Sequence, residues 1–217
     1  MKILKIENED YPKKLKNIDN PPKQLYVLGN EKILDDFGLA IIGCRQYSEY
    51  GKKVAKDISF KLAKQGIKII SGMARGIDSF AHMGCMVAGG KTIAVLGGGF
   101  NNIYPKENIE LLKEIIRTGG AVITEYSPDV KPIGANFPLR NRIISGLSDG
   151  VVVIEARKKS GTLITVDYAL EQGKEIFAVP GNINNSSSQG TNEMIREGAK
   201  IVTCIEDILE EYFHIRR

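Results

Sequence analysis

From Leu39 onward the chain repeats one rhythm: a short unbroken apolar run, a glycine-containing turn, then apolar residues at helical spacing. Leu39-Ala40-Ile41-Ile42 leads into Gly43-Cys44-Arg45, and Val54, Ile58, Leu62 and Ala63 then mark one face of a helix beginning near Ser48. Residues 67–70 lead into Ser71-Gly72-Met73-Ala74-Arg75-Gly76, with a helix near Asp78; residues 92–96 end at Gly97-Gly98-Gly99. Leu111, Ile115 and Ile116 mark the next helix and residues 121–124 the next strand. Residues 150–154 form a further apolar run before a helix through Leu163, Ala169 and Leu170, and residues 175–179 stop at Pro180-Gly181. A last helix begins at about Ile205. Runs that are continuous instead of alternating indicate strands covered on both faces. Their alternation with helices indicates right-handed βαβ units. The predicted fold is therefore α/β: Rossmann-like and doubly wound, a mainly parallel sheet with helices on both faces. Strand order is not readable from this pattern.

The first 37 residues stand apart. Tyr11-Pro12 and Pro21-Pro22 break a short helix, a turn and an extended stretch, read as an N-terminal leader packed on the main domain of residues 38–217. Residues 182–190 are polar and are expected to form a mobile loop. Hydrophobic content of 42% and charged content of 26% are ordinary for a soluble globular protein. The chain has neither an apolar run long enough to span a bilayer nor a secretion signal at its start. Three scattered cysteines, Cys44, Cys85 and Cys204, suit a reducing cytoplasm, the expected location. With only His82 and His214, a zinc site has few candidates, and no metal is expected.

Charge changes the picture more. Lys131, Arg140, Arg142, Arg157, Lys158 and Lys159 stand against Asp149 and Glu155, so residues 131–159 hold the whole formal net charge of +4. A basic stripe on a near-neutral body favours a polyanion, with scattered solvated side chains as the alternative. In an open parallel sheet ligands bind beyond the carboxyl ends of the strands, where glycines admit a ligand to the backbone and helix N-termini offer unpaired N–H groups. Four such turns occur: Gly43-Cys44-Arg45, residues 71–76, residues 97–99 and Ser160-Gly161-Thr162. Arg45 and Arg75 sit in two of them, and Arg157, Lys158 and Lys159 precede a third. Guanidinium forks match phosphate oxygens. The dinucleotide fingerprint is broken, because Asn102 occupies the place of its third glycine, and Lys159-Ser160-Gly161-Thr162 has Walker-type residues in the wrong order; no cofactor is expected.

Asn136-Phe137-Pro138-Leu139-Arg140-Asn141-Arg142 is the most informative stretch, a stacking plane beside phosphate-seeking charge. Pro138 fits the first turn of a helix continuing through Leu147, on which Arg140 and Arg142 lie about 200° apart. The competing reading makes Phe137 core and the arginines solvated or paired. No catalytic set is readable among Asp78, Glu125, Glu155, Asp167 and His82. Asp78 is expected to cap a helix, Glu155 to orient the basic residues after it, and His82 to be a satisfied structural histidine.

From Tyr11 to about Ile208 the chain resembles the DprA/Smf DNA-processing family. The residues that carry this are Tyr11-Pro12 with Leu15, Pro22 with Leu25-Tyr26 and Gly29, Ile42-Gly43-Cys44-Arg45, residues 71–78, Tyr104-Pro105, residues 137–144, Glu155-Ala156, residues 159–163 and Val179-Pro180-Gly181. The resemblance implies an extended Rossmann fold that binds single-stranded DNA without strong sequence preference. It also implies RecA loading during natural transformation and recombination, a homodimer, and no enzymatic activity. The DNA-binding residues it implies are Gly43, Arg45, Ser71, Gly72, Arg75, Phe137, Arg140, Asn141 and Arg142, with Lys159, Ser160 and Gly161 in a neighbouring motif. Cys44 departs from the family's usual serine or threonine and is a weaker donor. The winged-helix domain that many members carry after the Rossmann part is not expected here. Two alternatives remain: a phosphoribohydrolase of the related lysine-decarboxylase-like (LOG) group acting on nucleoside monophosphates, although Thr165 occupies that group's glutamate position, and a small-nucleotide sensor.

Overall fold

In the computed structural model, which describes residues 1–213, the apolar runs pair into one nine-stranded sheet. The elements run β1 (Lys2–Lys5), α1 (Lys13–Lys16), β2 (Gln24–Gly29), β3 (Gly38–Gly43), α2 (Glu49–Lys64), β4 (Lys68–Ser71), α3 (Ile77–Val87), β5 (Thr92–Val95), α4 (Ile109–Arg117) and β6 (Ala121–Thr124). There follow α5 (Asn136–Leu147), β7 (Gly150–Glu155), α6 (Gly161–Glu171), β8 (Glu175–Ala178), α7 (Gln189–Arg196), β9 (Lys200–Ile201) and α8 (Glu206–Phe213). The order across the sheet is β1-β2-β6-β5-β4-β3-β7-β8-β9, and every pairing from β6 to β9 is parallel. Successive side chains of each central strand go to opposite faces. Ala40, Ile42, Val151 and Val153 pack with Ile143, Leu147 and Val166 of α5 and α6. Leu39, Ile41, Val152 and Ile154 pack with Ala55, Leu62 and Ala81 of α2 and α3. Helices on both faces thus leave the strands no wet side, which is why they read as unbroken apolar runs.

The chain winds outward from β3 through β4 and β5 to β6, then returns to β7 on the other side of β3. The order reverses there, and the helices leaving the two neighbouring strands diverge. The carboxyl ends of β3 and β7 consequently flank a crevice, the position where open α/β sheets bind their ligands.

Two sequence expectations change. The first 37 residues, read as a leader packed on the main domain, supply two strands of its sheet: β2 pairs antiparallel with β6, and β1 with β2. Tyr11 is fully buried and donates its hydroxyl to the Pro22 carbonyl, which folds α1 back against this edge. The polar stretch 182–190 is exposed at its start, residues 182–184, and built in towards its end. Ser187 and Ser188 are buried, and Asn192 of α7 bonds both the N–H and the carbonyl of Gly181. His214 lies outside the described residues.

His82 is buried on α3 with Nδ1 at 2.7 Å from the Thr92 hydroxyl. That hydroxyl donates to the Ile69 carbonyl, so Nδ1 carries the proton and Nε2 is left without a partner among the described residues. Burial pushes the ring down to about 3, with the Arg140 charge acting in the same direction. The folded protein therefore keeps His82 neutral where the unfolded chain takes up a proton. Stability should be full above about pH 6.5 and fall below it, by the order of 1 kcal/mol per pH unit, until the ring titrates in the fold. Melting temperatures of the wild type and His82→Gln between pH 7 and 4 check this. Parallel decline in the two proteins would show that another group is responsible.

Candidate functional site

Beyond β3 and β7 lies an open cleft of about 760 Å³. Backbone contacts that only glycine allows set its shape. A side chain on Gly43 would meet Ile77 at 2.8 Å, so the glycine lets α3 seat against the end of β3. Gly76 has φ +81, and a Cβ there would stand 2.4 Å from the Cys44 carbonyl. The Arg45 and Arg75 turns are thereby packed backbone to backbone, joined by the Ile77 N–H to the Cys44 carbonyl. Cys44 lines the cleft as a buried thiol, held above the usual thiol range by burial.

Phe137 stands half-buried in the first turn of α5, in space opened by Gly97, where a Cβ would lie 2.9 Å from the ring. The guanidinium carbons of Arg45 and Arg140 lie 5.6 and 6.0 Å from its ring centre. Tyr104, 45% exposed, is 5.7 Å away and inclined by 53°. Arg75 stacks on Tyr104 at 5.7 Å and pairs through Nε with Glu107. Two aromatic rings and three arginines thus make one continuous wall.

Arg140 is 4% exposed and donates to the carbonyls of Gly72 and Val95. Its partner in charge is Asp78, the one carboxylate among the described residues that line the cleft. Asp78 accepts from the N–H groups of Gly72 and Ala74, at 3.1 and 3.3 Å. It therefore pins the turn before α3, where the sequence reading had it cap that helix. A side chain on Gly72 would collide with both charged groups at 2.8 Å, so the glycine is what lets them face each other. Burial pulls Arg140 down to about 10 and raises Asp78, each opposed by the other's charge.

The opposite wall is the N-terminus of α6. Ser160 and Gly161 line it, with Arg157 beside them, and Asn141 reaches across to the Gly161 carbonyl at 3.4 Å. The Ser160 hydroxyl makes no cap bond, and among the described residues it has no partner at all. The first N–H groups of α6 consequently face the cleft as a site for negative charge.

Gly43, Arg45, Phe137, Arg140, Asn141, Ser160 and Gly161 meet in this cleft, and Gly72 and Arg75 form a small recess adjoining it. The other predicted residues do not join them. Ser71 is fully buried and its hydroxyl bonds the Ile41 carbonyl across the sheet, so it is spent on joining β4 to β3. Arg142 points to the far side of α5, paired through both terminal nitrogens with Glu125 and through Nε with the Asn20 carbonyl. The 200° separation on the helix is what parts it from Arg140. Lys159 is exposed but lies off the cleft wall. Glu155 does not orient the basic residues after it. It is 1% exposed and accepts from the Ser48 N–H and hydroxyl at the start of α2. The third glycine turn holds protein instead of ligand, since Gly98 packs on Pro132 and Gly99 on the Ser127 and Pro128 carbonyls. Tyr104 and Arg157 were not among the predicted site residues, although Arg157 was counted with the cations before the Ser160 turn and Tyr104-Pro105 with the residues of the resemblance; an aromatic in the loop after the glycine run and a cation two residues after β7 were the available signals. No group of three or more metal-binding side chains is found among the described residues, and no described helix is long and apolar enough to cross a membrane.

This fold is shared with known proteins. The DNA recombination-mediator protein A family matches residues 2–213. The chain belongs to that family. Protein Smf of Escherichia coli is 44% identical over 96% of the chain, which spans 56% of that relative's length. The crystal structure of DNA processing protein A from Streptococcus pneumoniae superposes with a TM-score of 0.91 at 41% identity, covering 97% of this chain and 74% of that one. DNA processing protein A from Helicobacter pylori, studied for its single-stranded-DNA binding mode, gives 0.87 at 32% identity, covering 99% and 97%. Both superpositions extend over nearly the whole chain, so the fold described above is the fold of these two structures.

Proposed function

We propose that the cleft binds single-stranded DNA without strong sequence preference, as the Rossmann-type part of a protein that processes incoming or recombining DNA. The observation that carries this is the wall of Phe137 and Tyr104 interleaved with Arg45, Arg75 and Arg140, facing the unpaired N-terminus of α6. Every base has a face to stack, while the arginines and helix N–H groups answer the phosphates that all sequences share. The relative from Helicobacter pylori, described as binding single-stranded DNA, agrees with this reading. RecA recombinase as the recipient of the strand and a second copy of the chain as partner belong to the same proposal, on family membership alone.

The proposal contains no catalytic step. Of the carboxylates once considered, Glu155 is committed to the start of α2 and Asp167 lies exposed on α6. Incubation with AMP tests the phosphoribohydrolase alternative, and base release lost on replacing Asp78 would establish it. For strand binding, Arg45→Ala and Phe137→Ala should each weaken oligothymidylate affinity by about 1–3 kcal/mol, with binding falling steeply as salt rises. Unchanged affinity in both variants would place the strand elsewhere. Calorimetry with mononucleotides separates the sensor alternative, because a strand binder gains affinity with length.

A further inference from the structure

The outer face of α2 carries a feature that the cleft does not use. The helix starts at the rim of the cleft, capped by Ser48 three residues after Arg45. Along it Lys52, Lys56, Phe60 and Lys64 recur at every fourth position, so they form one ridge with a rise of about 6 Å per step. The ammonium groups of Lys52 and Lys56 lie 5.8 and 5.5 Å from the ring centre of Phe80, and that of Lys64 lies 5.5 Å from Phe60. Tyr47, 41% exposed, meets Phe80 edge-on at 4.6 Å and stands between Arg45 and the first lysine. Lys61 is taken by Asp57 at 2.7 Å and Lys52 shares Glu49 at 3.2 Å. Among the described residues no carboxylate pairs with Lys56 or Lys64.

We infer that this ridge is a second contact surface for the same nucleic acid: a strand leaving the cleft past Arg45 stacks a base on Tyr47 and lays its phosphates along Lys52, Lys56 and Lys64. The inference rests on the proposed strand binding in the cleft. Three observations favour this occupant. The ridge is continuous with the cleft wall through residues 45–48. All three cations lie over aromatic rings, and two of them, Lys56 and Lys64, have no carboxylate partner among the described residues, so the ridge is positioned for an incoming anion. Tyr47 presents a stacking plane at the junction, which an unpaired strand can use and a duplex, with its bases already stacked, cannot.

The test compares a short oligothymidylate that fills the cleft, about 5 nucleotides, with a long one of about 20. The variants are the triple Lys52→Gln/Lys56→Gln/Lys64→Gln and the single Tyr47→Ala, each first checked for an unchanged melting temperature. For the long strand, the slope of log affinity against log salt should fall by about 2 in the triple variant. Tyr47→Ala should lose roughly tenfold in affinity for it. The short strand should bind both variants as it binds the wild type. An unchanged slope with the long strand overturns the inference, as does an equal loss for short strand, long strand and duplex, because the ridge would then act as a general polyanion surface. If the wild type binds neither length, or Arg45→Ala and Phe137→Ala leave the short strand unaffected, the cleft reading fails first and this inference falls with it.

Discussion

Asp78→Ala is expected to lower the unfolding free energy by about 3 kcal/mol and to weaken strand binding in the same protein. The carboxylate has two tasks. It accepts the N–H groups of Gly72 and Ala74, and among the described residues it is the carboxylate that faces the buried Arg140 guanidinium across the gap that Gly72 leaves. Removing it orphans one buried donor and one half-buried one, and leaves a positive charge, 4% exposed, with neutral partners alone: two backbone carbonyls, the Asn141 amide oxygen and the Phe137 ring. A guanidinium in that position moves toward water, carrying with it the edge of the ring wall it forms with Phe137. Asp78→Asn keeps one acceptor and loses the charge, so it should fall between the wild type and alanine. The double variant Asp78→Ala/Arg140→Met should recover part of the stability, because removing both charges costs less than stranding one, and it should not recover binding. Urea midpoints and oligothymidylate titrations on the four proteins decide the matter. If Asp78→Ala stays within about 0.5 kcal/mol of the wild type, the buried charges do not depend on each other.

That pair also shows where sequence reading stops. The doubly wound sheet was legible because every central strand is covered twice: Leu39 and Ile41 face one set of helices while Ala40 and Ile42 face the other, which leaves no polar position in the run. Helix starts were legible for a similarly local reason, as with Ser48, whose hydroxyl accepts from the Gly51 N–H. Strand order was not, because which strand lies beside β3 depends on pairing between distant segments and leaves no periodic trace. The strands at the N-terminal edge were lost among prolines and lysines. β1 is short, and its Lys2, Ile3 and Lys5 face solvent. Within the site, residue types pointed to the right chemistry, yet a side chain's type does not say which way it turns. Ser71, Glu155 and Arg142 each have the composition of a ligand-binding residue, and each is consumed by another part of the chain. Tyr104 was overlooked for the converse reason. Its importance comes from standing 5.7 Å from Phe137, a residue 33 positions away, and an aromatic after the glycine run is too weak a local signal to place it there.

Arg142→Ala is expected to separate stability from binding, losing about 3–5 kcal/mol of the first and almost none of the second. Burial works against this charge, but the two hydrogen bonds Arg142 donates to the Glu125 carboxylate, together with that carboxylate's charge, outweigh it and hold the guanidinium above its ordinary range. With Nε on the Asn20 carbonyl and Nη1 also on that of Leu139, Arg142 ties α5 to the end of β6 and to the N-terminal segment at once. Alanine breaks all three connections and leaves Glu125, whose side chain is 18% exposed, without its cation. None of these groups faces the cleft, so protein that remains folded at low temperature should bind oligothymidylate like the wild type. The isosteric pair Arg142→Met/Glu125→Met should restore much of the lost stability, as replacing both members of a buried ion pair commonly does. The decisive comparison is with Arg45→Ala, which should behave in the opposite way: with an exposed side chain lying over the Phe137 ring, Arg45 is expected to be dispensable for folding and central to binding. Should Arg142→Ala instead lose affinity while melting like the wild type, the strand must pass over the far side of α5, and the cleft at the ends of β3 and β7 is not where it runs.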